Sequence, residues 1–490
     1  MEVASPLPAA ALVPAAAAVA LIVLSRRRPP LREAWSVLAA AAQTALVAAM
    51  IPAVSAGARP TWEGPALVPG VPVLLRADAL GILFAALASG LWLVTTVYSI
   101  GYVRALAEPR QTRYFACFAL CLFATVGLAL AGNLLTFFGF FEILTVAAYP
   151  LVVHKGTEEA ARAGRIYLLY TLTGGTALLG AVAWTAALAG TLDFRPGGIL
   201  PAGAAPAALW GLFILFVVGC GVKAAVVPLH TWLPLAMIAP TPVSALLHAV
   251  AVVKAGVFGV VRVVGFVFGP GLLGDMGAAG LLAGLALATI LLASLVALAQ
   301  DNLKRLLAFS TISQLSYVIL GVALGTETGF AGGVLHIASH ALLKITLFFC
   351  AGAIYVTAHV ERISDMGGIG RRMPLTMGAF AAAAFMLAGL PPGAGFTSKW
   401  RLLEGAAQGG AWLAVLVLLA SVVLNVAYFT PVIVRAFAGP AAPGRAEAPA
   451  SLLVPLLLTA AGGLALGLVP DGVLPALSLA QAIARSVSGP

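Results

Sequence analysis

Four of the six lysines in this sequence lie within long stretches that are otherwise apolar: Lys223, Lys254, Lys344 and Lys399. A lysine at the centre of a bilayer costs about 3 kcal/mol on insertion scales. Arginine is the more frequent basic residue, with 21 copies, and it supplies nearly all of the remaining positive charge. A lysine amine can release its proton, whereas a guanidinium cannot. The use of lysine in these segments therefore predicts a proton or ion pathway.

A glutamate and a histidine occur in segments of the same kind. Glu142 is the only charged residue in the run 134–150, and we expect it to pair with Lys223, because opposite charges in a low-dielectric region stabilise each other. The alternative is a carboxylate that reaches out from the end of a span. His248 shares a span with Lys254, and a spacing of six places the two about 120° apart on a helix. They are predicted to line successive parts of one path, although a lone histidine is more often a hydrogen-bonded core residue.

A third group consists of His336, His340 and Lys344, which follow one another at four-residue spacing. Over the three residues this spacing drifts by only about 80° around a helix and climbs about 6 Å per step. Neutral imidazole accepts a proton on one nitrogen and donates from the other, as a relay requires. Two histidines four residues apart can also share a metal ion. No third ligand is present in the same segment, so the relay is the favoured interpretation and no metal is predicted.

The composition identifies the setting of these residues as a membrane. Of the 490 residues, 62% are hydrophobic and 9% are charged, and the mean hydropathy is +1.06. Apolar runs of membrane-spanning length recur along the whole chain. The predicted fold is all-α, with fourteen membrane spans. They lie near residues 7–24, 35–54, 79–102, 113–131, 133–153, 163–189, 207–227, 238–266, 275–298, 304–324, 329–357, 374–405, 411–436 and 451–470.

The distribution of basic residues predicts the orientation. If the N-terminus lies outside, 17 of the 27 basic residues fall in the loops on one side, which is then the cytoplasmic side. Both termini are therefore expected on the non-cytoplasmic side of the cell membrane. The net charge of +10 reflects this topology and not nucleic-acid binding. The residues in question are Arg26, Arg27, Arg28, Arg32, Arg104, Arg110, Arg113, Lys155, Arg162, Arg165, Lys304, Arg305, Arg362, Arg371, Arg372, Arg435 and Arg445.

Two spans contain helix-breaking sequence beside a lysine. Pro228 follows Lys223, and the Pro391-Pro392 pair precedes Lys399. Such kinks are common in membrane helices, but these two lie five spans apart, which predicts a pair of inverted repeats. The predicted organisation is 1–112 for helices 1–3, 113–266 for the first five-helix repeat, 275–436 for the second, and 437–490 for a C-terminal helix.

Three longer motifs carry a family resemblance. They are Lys223-Ala-Ala-Val-Val-Pro-Leu-His-Thr-Trp-Leu-Pro, Asp301-Asn-Leu-Lys-Arg-Leu-Leu-Ala-Phe-Ser-Thr-Ile-Ser-Gln-Leu and Gly389-Leu-Pro-Pro-Gly-Ala-Gly-Phe-Thr-Ser-Lys. The chain resembles, over at least residues 115–435, the antiporter-like subunits of respiratory complex I. The same signature marks the large subunits of Mrp-type cation/proton antiporters and of membrane-bound hydrogenases.

The resemblance implies a fourteen-span subunit with two inverted five-helix repeats around a hydrated axis. It implies proton-pathway roles for Glu142, Lys223, Lys254, Lys399 and the His336/His340/Lys344 ladder. The sequence differs from the family pattern in two places. Leu235 occupies a place where the family often has an acidic residue, and the chain has no room for the long lateral helix of the largest complex I member.

These observations predict a proton-translocating subunit of a multi-subunit energy-converting membrane complex. Its expected partners are other membrane subunits, protons and the lipid bilayer. No cofactor, redox site or nucleic-acid partner is predicted, and any NADH:quinone oxidoreductase activity would belong to the complex. Three alternatives remain: an Mrp-type subunit that exchanges Na⁺ or K⁺ for protons, a membrane partner for inorganic-carbon uptake, and a non-pumping structural subunit.

Overall fold

The computed structural model describes residues 1–438, 446–472 and 474–488; Arg445, used above for orientation, lies outside them. The described chain is almost entirely helical. Its helices are α1 Leu7–Ala10, α2 Val13–Leu24, α3 Pro29–Ala48, α4 Ile51–Ser55, α5 Ala79–Ala105, α6 Gln111–Ala129, α7 Leu134–Val152, α8 Glu158–Ala189, α9 Pro206–Ala224, α10 Trp232–Leu235, α11 Thr241–Ala249, α12 Val252–Arg262, α13 Pro270–Asp275, α14 Ala278–Leu298, α15 Leu303–Ala323, α16 Glu327–Ala358, α17 Ile369–Arg372, α18 Pro374–Ala388, α19 Ala394–Gln408, α20 Trp412–Phe437, α21 Ala450–Leu468 and α22 Ala476–Ser488.

The predicted all-α membrane fold is confirmed. In the described ranges, 13 helical segments are long and apolar enough to cross a membrane. The twelfth predicted span, 374–405, is not one of them, because it consists of two helices of 15 residues each, α18 and α19. The chain between these two helices contains Pro391 and Pro392. Helix α22 is an additional short helix after the fourteenth predicted span.

The starts of several spans are fixed by side-chain caps. A side-chain oxygen of the residue before the helix accepts a hydrogen bond from a backbone amide of the first turn. This satisfies an amide that has no partner inside the helix. The capped helices are α5, α7, α8, α15 and α16, and the capping residues are Asp78, Asn133, Thr157, Asn302 and Thr326.

The centre of the protein is formed by three of the spans. The segment Thr241–Phe268, which contains α11 and α12, is entirely buried, and α15 is 94% buried over its most apolar window. The corresponding value is 33% for the segments Leu7–Leu24, Pro29–Ser55 and Ala450–Leu468. Helix α16, with 32 residues and thus about 48 Å long, packs against α11, α15, α18 and α19. Side chains on α11, α12, α15 and α16 are therefore shielded from lipid by the outer helices.

The central span differs from its prediction. Residues 238–266 were expected to form one continuous helix, but α11 ends at Ala249 and α12 begins at Val252. Neither Val250 nor Ala251 is a glycine or a proline, so the sequence carries no local signal for this break. The predicted angle of about 120° between His248 and Lys254 requires a continuous helix. Because the helix is broken between them, that prediction is wrong.

A small sheet was also missed by the all-α prediction. Strands β2 (Arg59–Val68) and β3 (Val71–Arg76) form an antiparallel hairpin, and β1 (Glu2–Ala4) adds to it in parallel. Prolines at positions 60, 65, 69 and 72 interrupt the alternation that would have predicted strands. The hairpin connects the second and third predicted spans.

Contacts place Met1 and the last described helix on the side of this hairpin, which we call the hairpin face. The Arg59 amide donates to the Met1 carbonyl oxygen at 2.9 Å. The last helix, α22, packs against the end of the eighth span, where Gly265 lies close to Val487. Other bonds join the hairpin through successive loops to that same end: Arg76 N to Leu130 O, Phe194 N to Gly132 O, and Ile199 N to Val267 O.

The opposite side, which we call the arginine-rich face, is built from the α5–α6, α7–α8, α14–α15 and α16–α17 connections. Arg113 donates to the His154 carbonyl oxygen at 3.4 Å and thus joins the first two of these connections. The Leu303 amide donates to the Glu361 carbonyl oxygen at 2.9 Å and joins the last two. The helices between the two faces therefore cross the protein from side to side.

On the hairpin face, a buried ion pair joins α5 to α12. The guanidinium of Arg262 donates two hydrogen bonds to the Asp78 carboxylate, at 2.5 and 2.8 Å, and lies over three phenylalanine rings. Burial would raise the pKa of Asp78, but Arg262 and the Gly81 amide hold that pKa below its usual value.

We predict that Asp78→Asn lowers the free energy of unfolding by about 3 kcal/mol, because Arg262 keeps a buried charge without its partner. Thermal unfolding of the purified protein in detergent measures the change. The stabilisation is present above about pH 4 and is lost as the pH falls through the lowered pKa, so wild type and variant should converge in acid. Asp275→Asn, at an exposed position on the same face, is the control. Equal midpoints for wild type and Asp78→Asn at pH 7 would contradict the prediction.

Candidate functional site

We call the ionisable side chains Glu142, Lys223, Lys254, His340, His336, Lys344 and Lys399 the row. Lys223 lies at the end of α9 and is fully buried. Its Nζ donates a hydrogen bond to the carbonyl oxygen of Phe141 in α7 and lies 3.3 Å from the centroid of the Phe141 ring. An ammonium over an aromatic face is attracted by the negative charge of the ring face. Lys223 is thus held by one residue of α7 through two different contacts.

Glu142, the next residue of α7, does not form the ion pair with Lys223 that the sequence predicted. No Glu142 oxygen lies within 4.0 Å of a described lysine nitrogen, although Lys223 is the main charge that acts on this carboxylate. Glu142 Oε1 is buried without a hydrogen-bond partner, and the carboxylate lies against Gly175 of α8. A β-carbon at position 175 would be 2.5 Å from Oε1, so this glycine leaves the space that the carboxylate occupies.

The helices that carry the first and second lysines, α9 and α12, approach each other closely at a glycine. Gly256 of α12 packs directly on the backbone of Lys223 and Ala224, where an added β-carbon would be 2.1 Å from the Ala224 nitrogen. Small residues allow helices in membranes to approach in this way. Lys254, two residues before Gly256, is fully buried, and its Nζ donates to the Ile337 carbonyl oxygen of α16 at 3.2 Å. Lys254 therefore bridges the first half of the chain to α16.

The central histidines have no direct partner for either ring nitrogen. Nδ1 and Nε2 of both His248 and His340 are buried and unpaired within the described structure. The His340 ring centroid is 6.3 Å from that of His336, and the charges of Lys254 and Lys344 both act on His340. Buried polar atoms are almost always hydrogen-bonded to protein or to ordered water. These four nitrogens therefore mark places where water molecules can connect the row.

His336 belongs to a continuous hydrogen-bond network. Its Nδ1 is 2.9 Å from Ser398 Oγ in α19, and its Nε2 is 3.1 Å from Gln314 Oε1 in α15. The Gln314 amide nitrogen donates to Asn425 Oδ1 at 3.2 Å, so the Gln314 oxygen faces the ring and accepts from Nε2. In the neutral ring Nδ1 is then an acceptor beside the Ser398 hydroxyl, which is also 3.2 Å from the carbonyl oxygens of Ala394 and Gly395.

The other end of this network is Lys344. Its Nζ donates to Ser310 Oγ at 2.8 Å and to the Leu307 carbonyl oxygen at 3.3 Å. Ser310 Oγ is 2.9 Å from the hydroxyl of Tyr428, which donates to Asn425. A path of hydrogen bonds thus runs from Lys344 through Ser310, Tyr428, Asn425 and Gln314 to His336.

Lys399 ends the row, in the first half of α19. It is 6% exposed, and its Nζ donates to the Ala388 carbonyl oxygen at 3.1 Å, which is the last carbonyl of α18. The same nitrogen lies 4.5 Å from the centroid of the Tyr317 ring. The neighbouring Trp400 is 55% exposed, so the lysine turns inward where its neighbour turns outward. In a continuous helix the Ala388 carbonyl oxygen would accept a backbone amide four residues later. The break between α18 and α19 leaves this oxygen available to Lys399.

The sequence analysis did not identify the uncharged members of this site. Ser310, Gln314 and Tyr317 lie on one side of α15, at spacings of four and three residues, and the first two belong to a motif used above for family resemblance. Tyr428 and Asn425 on α20 had no pattern that distinguished them from other polar residues in spans. The described residues contain no group of three or more histidine, cysteine, aspartate or glutamate side chains arranged to hold a metal.

Comparison with known proteins agrees with this architecture. The family described as "NADH:quinone oxidoreductase/Mrp antiporter, TM" matches residues 131–425. NADH-quinone oxidoreductase subunit N of Desulforudis audaxviator is 37% identical over 408 residues, which cover 78% of this chain and 79% of that protein. Subunit L of Mycobacterium tuberculosis is 32% identical over 401 residues, and the chain spans 62% of its length. A chain of the Mrp complex from Dietzia sp. superposes with a TM-score of 0.87 at 25% identity, covering 99% of this chain and 97% of that one.

We predict that Gly256→Ala destabilises the protein by about 1–3 kcal/mol, because the added methyl group forces α12 away from the backbone of α9. Gly284→Ala is the matched control, since a β-carbon at that position of α14 has nothing within 4 Å. Thermal unfolding in detergent should show a lower midpoint for Gly256→Ala alone. A midpoint that stays at the wild-type value would mean that the approach of α9 to α12 is looser than described.

Proposed function

Because the chain belongs to the NADH:quinone oxidoreductase/Mrp antiporter transmembrane family, we propose that it moves protons across the membrane as one subunit of a multi-subunit complex. The protons pass along a row that consists of Glu142, Lys223, Lys254, His340, His336, Lys344 and Lys399. The complex lies in the cell membrane, with the arginine-rich face in the cytoplasm and both termini outside. The redox or ion-exchange reaction that drives transport belongs to the complex as a whole.

One observation carries the proposal. All four buried lysines donate to a backbone carbonyl oxygen, and none has a carboxylate within 4.0 Å in the part of the chain that the structure describes. A buried charge without a counter-ion is unfavourable, and a lysine relieves this by releasing its proton. Side chains that serve only to stabilise a fold do not require this arrangement four times in one row.

The order of transfer follows from the contacts. Lys223 is the station closest to Glu142, and the contact at Gly256 joins α9, which carries Lys223, to α12, which carries Lys254. Lys254 reaches α16, where His340 has two free ring nitrogens for water-mediated transfer. Lys399 is reached from His336 through the neighbouring Ser398. Neutral and protonated states of adjacent stations influence each other because like charges repel at short range.

A cation/proton antiporter is the second candidate, favoured by the likeness to the Mrp complex chain. Na⁺ and K⁺ are bound by oxygen ligands, and in the described structure Glu142 is the only carboxylate of the row. The family description includes both kinds of complex, so the two functions differ in the driving reaction and not in the fold of this chain. Inorganic-carbon uptake and a non-pumping role each imply a different set of partner subunits.

The deciding experiment isolates the complex through an affinity tag on this chain and identifies the subunits that copurify. The complex is then placed in liposomes that contain a pH-sensitive dye. Electron donor and quinone, or a Na⁺ or K⁺ gradient, is added according to the partners found. Proton movement that requires the redox reaction supports the first function, and movement that requires a cation gradient supports the second. No proton movement under either condition would contradict both.

We predict that Lys223→Arg abolishes proton movement although the positive charge is retained, because arginine does not release its proton. Lys223→Ala should be at least as severe. The amount of assembled complex, measured by the copurified subunits, should stay at the wild-type level for Lys223→Arg. Proton movement at the wild-type rate in this variant would show that Lys223 does not need to deprotonate.

We predict that Glu142→Gln slows proton movement at least about tenfold, since glutamine keeps the volume of the side chain and removes its charge. Glu63→Gln, on the hairpin outside the spans, is the control and should behave as wild type. The dye assay above measures both. Full transport by a well-assembled Glu142→Gln complex would remove this residue from the pathway.

A further inference from the structure

A second group of ionisable side chains lies on the arginine-rich face, outside the row. We call it the loop cluster: Glu108 after α5, His154 after α7 and Lys304 at the start of α15. Glu108 Oε2 is 3.7 Å from His154 Nε2. Lys304 was predicted in a short polar connection, but it lies in the first turn of α15, and its Nζ donates to the Ala239 carbonyl oxygen at 2.8 Å.

Glu108 and His154 are set up to share a proton. The His154 ring is fully buried, and neither ring nitrogen has a hydrogen-bond partner in the described structure. Burial, with the charges of Arg113 and Arg110, lowers the pKa of His154 to about 4, so the ring is neutral at pH 7. Burial raises the pKa of Glu108, against the opposing effect of two nearby lysines. A carboxyl group that titrates closer to neutral pH therefore faces an imidazole with free nitrogens.

A line of polar side chains leads inward from the loop cluster along α11. Thr241, Ser244 and His248 follow at spacings of three and four residues, which places them on one side of the helix. We call them the polar line. Ser244 Oγ and both nitrogens of His248 are buried without a partner in the described ranges. The outer end lies beside α5, where the Tyr102 hydroxyl is 3.4 Å from Thr241 Oγ1.

The inner end of the polar line reaches the row. His248 packs on Phe348 of α16, with the ring centroids 4.8 Å apart. Lys344 and Lys304 are the two charges that act on His248, one from the row and one from the loop cluster. His248 therefore lies between the arginine-rich face and the middle of the row, and not only beside Lys254.

Other titratable and charged groups surround the loop cluster and influence its protonation. Those that interact with its members through charge, or contact them, are Tyr102, Arg110, Arg113, Tyr114, Lys155, Tyr355 and Glu361. Arg110, Arg113 and Lys155 are basic, and the charges of Lys155 and Lys304 favour the ionised form of Glu108 when its proton leaves. The same surroundings oppose a second positive charge on His154.

We propose that the loop cluster takes up protons from the aqueous side and delivers them along the polar line to Lys344. This inference rests on the proposed proton transport. It adds a lateral supply of protons, which reach the row at Lys344. This entry is separate from the one at the Lys223 end of the row. Glu108 is the group that exchanges with water, Ser244 and His248 hold the bridging waters, and Lys344 is the acceptor.

The test uses the whole complex in liposomes, with the arginine-rich face outward and proton uptake followed by a dye. Glu108→Gln should slow uptake at least about tenfold at pH 8, because glutamine does not transfer a proton. Imidazole added to the outer solution should restore uptake, since a small diffusible acid replaces a surface carboxyl group. Ser244→Val should also slow uptake, and imidazole should not restore it, because the block lies beyond the reach of the buffer.

Glu158→Gln is the control, since Glu158 is exposed on the same face at the start of α8. Glu108→Asp should retain most of the uptake rate. Unchanged uptake in Glu108→Gln would overturn the proposal. A loss of uptake that imidazole does not restore in Glu108→Gln would also overturn it, because it would indicate a structural role. Proton uptake at the wild-type rate in Ser244→Val would show that protons do not pass along the polar line.

The outcomes separate this inference from the proposed function. A wild-type complex that moves no protons would contradict both together. A complex that pumps, loses pumping with Lys223→Arg and keeps it with Glu108→Gln would contradict only the lateral supply. Restoration by imidazole in Glu108→Gln, with no restoration in Lys223→Arg, is the pattern that supports both.

Discussion

The structure depends on one constraint: four ammonium groups must be satisfied in the interior of an apolar helical bundle. Each buried lysine does so through a backbone carbonyl oxygen, at Phe141, Ile337, Leu307 and Ala388. A carbonyl oxygen has two lone pairs, so a helical carbonyl can accept a lysine in addition to its own amide. Such a partner is neutral and does not fix the charge on the amine. A carboxylate would hold each lysine in its charged form, whereas a carbonyl leaves the neutral amine a stable alternative.

The helix breaks follow from the same requirement. Ala388 ends α18, so its carbonyl is free to accept Lys399, and the glycines around this break allow the backbone to turn. The break after Ala249 separates the helix segment of His248 from that of Lys254 and lets each approach α16 from a different direction. At Gly256 and Gly175 the absence of a side chain places α12 against α9 and leaves room for Glu142. Backbone geometry, more than side-chain pairing, therefore sets the position of each charge.

The sequence predicted the charged members of the site and the class of fold, because lysine and histidine in apolar spans are conspicuous and membrane helices have a strong length signal. It did not predict the connections between them. Ser310, Tyr428 and Asn425 are ordinary polar residues until α15 and α20 are packed together, and that packing depends on contacts far apart in the chain. The predicted Glu142–Lys223 ion pair was wrong for a related reason: Phe141 offers Lys223 both a carbonyl and a ring. The break at Val250 has no local sequence signal, since no glycine or proline is present there.

The two halves of the row are not chemically equivalent, although inverted repeats were predicted for them. The first half contains a carboxylate, Glu142, whose Oε1 has no hydrogen-bond partner, close to a lysine held by α7. The second half replaces the carboxylate with neutral groups: the Tyr317 ring and the Ala388 carbonyl around Lys399, and a hydroxyl and amide network from Lys344 to His336. The Glu142 carboxylate acts on Lys223 from beyond 4.0 Å, and no carboxylate of the described structure acts in this way on Lys399. The two lysines therefore differ in their neighbours, and the proposed pathway uses different chemical groups around each of them.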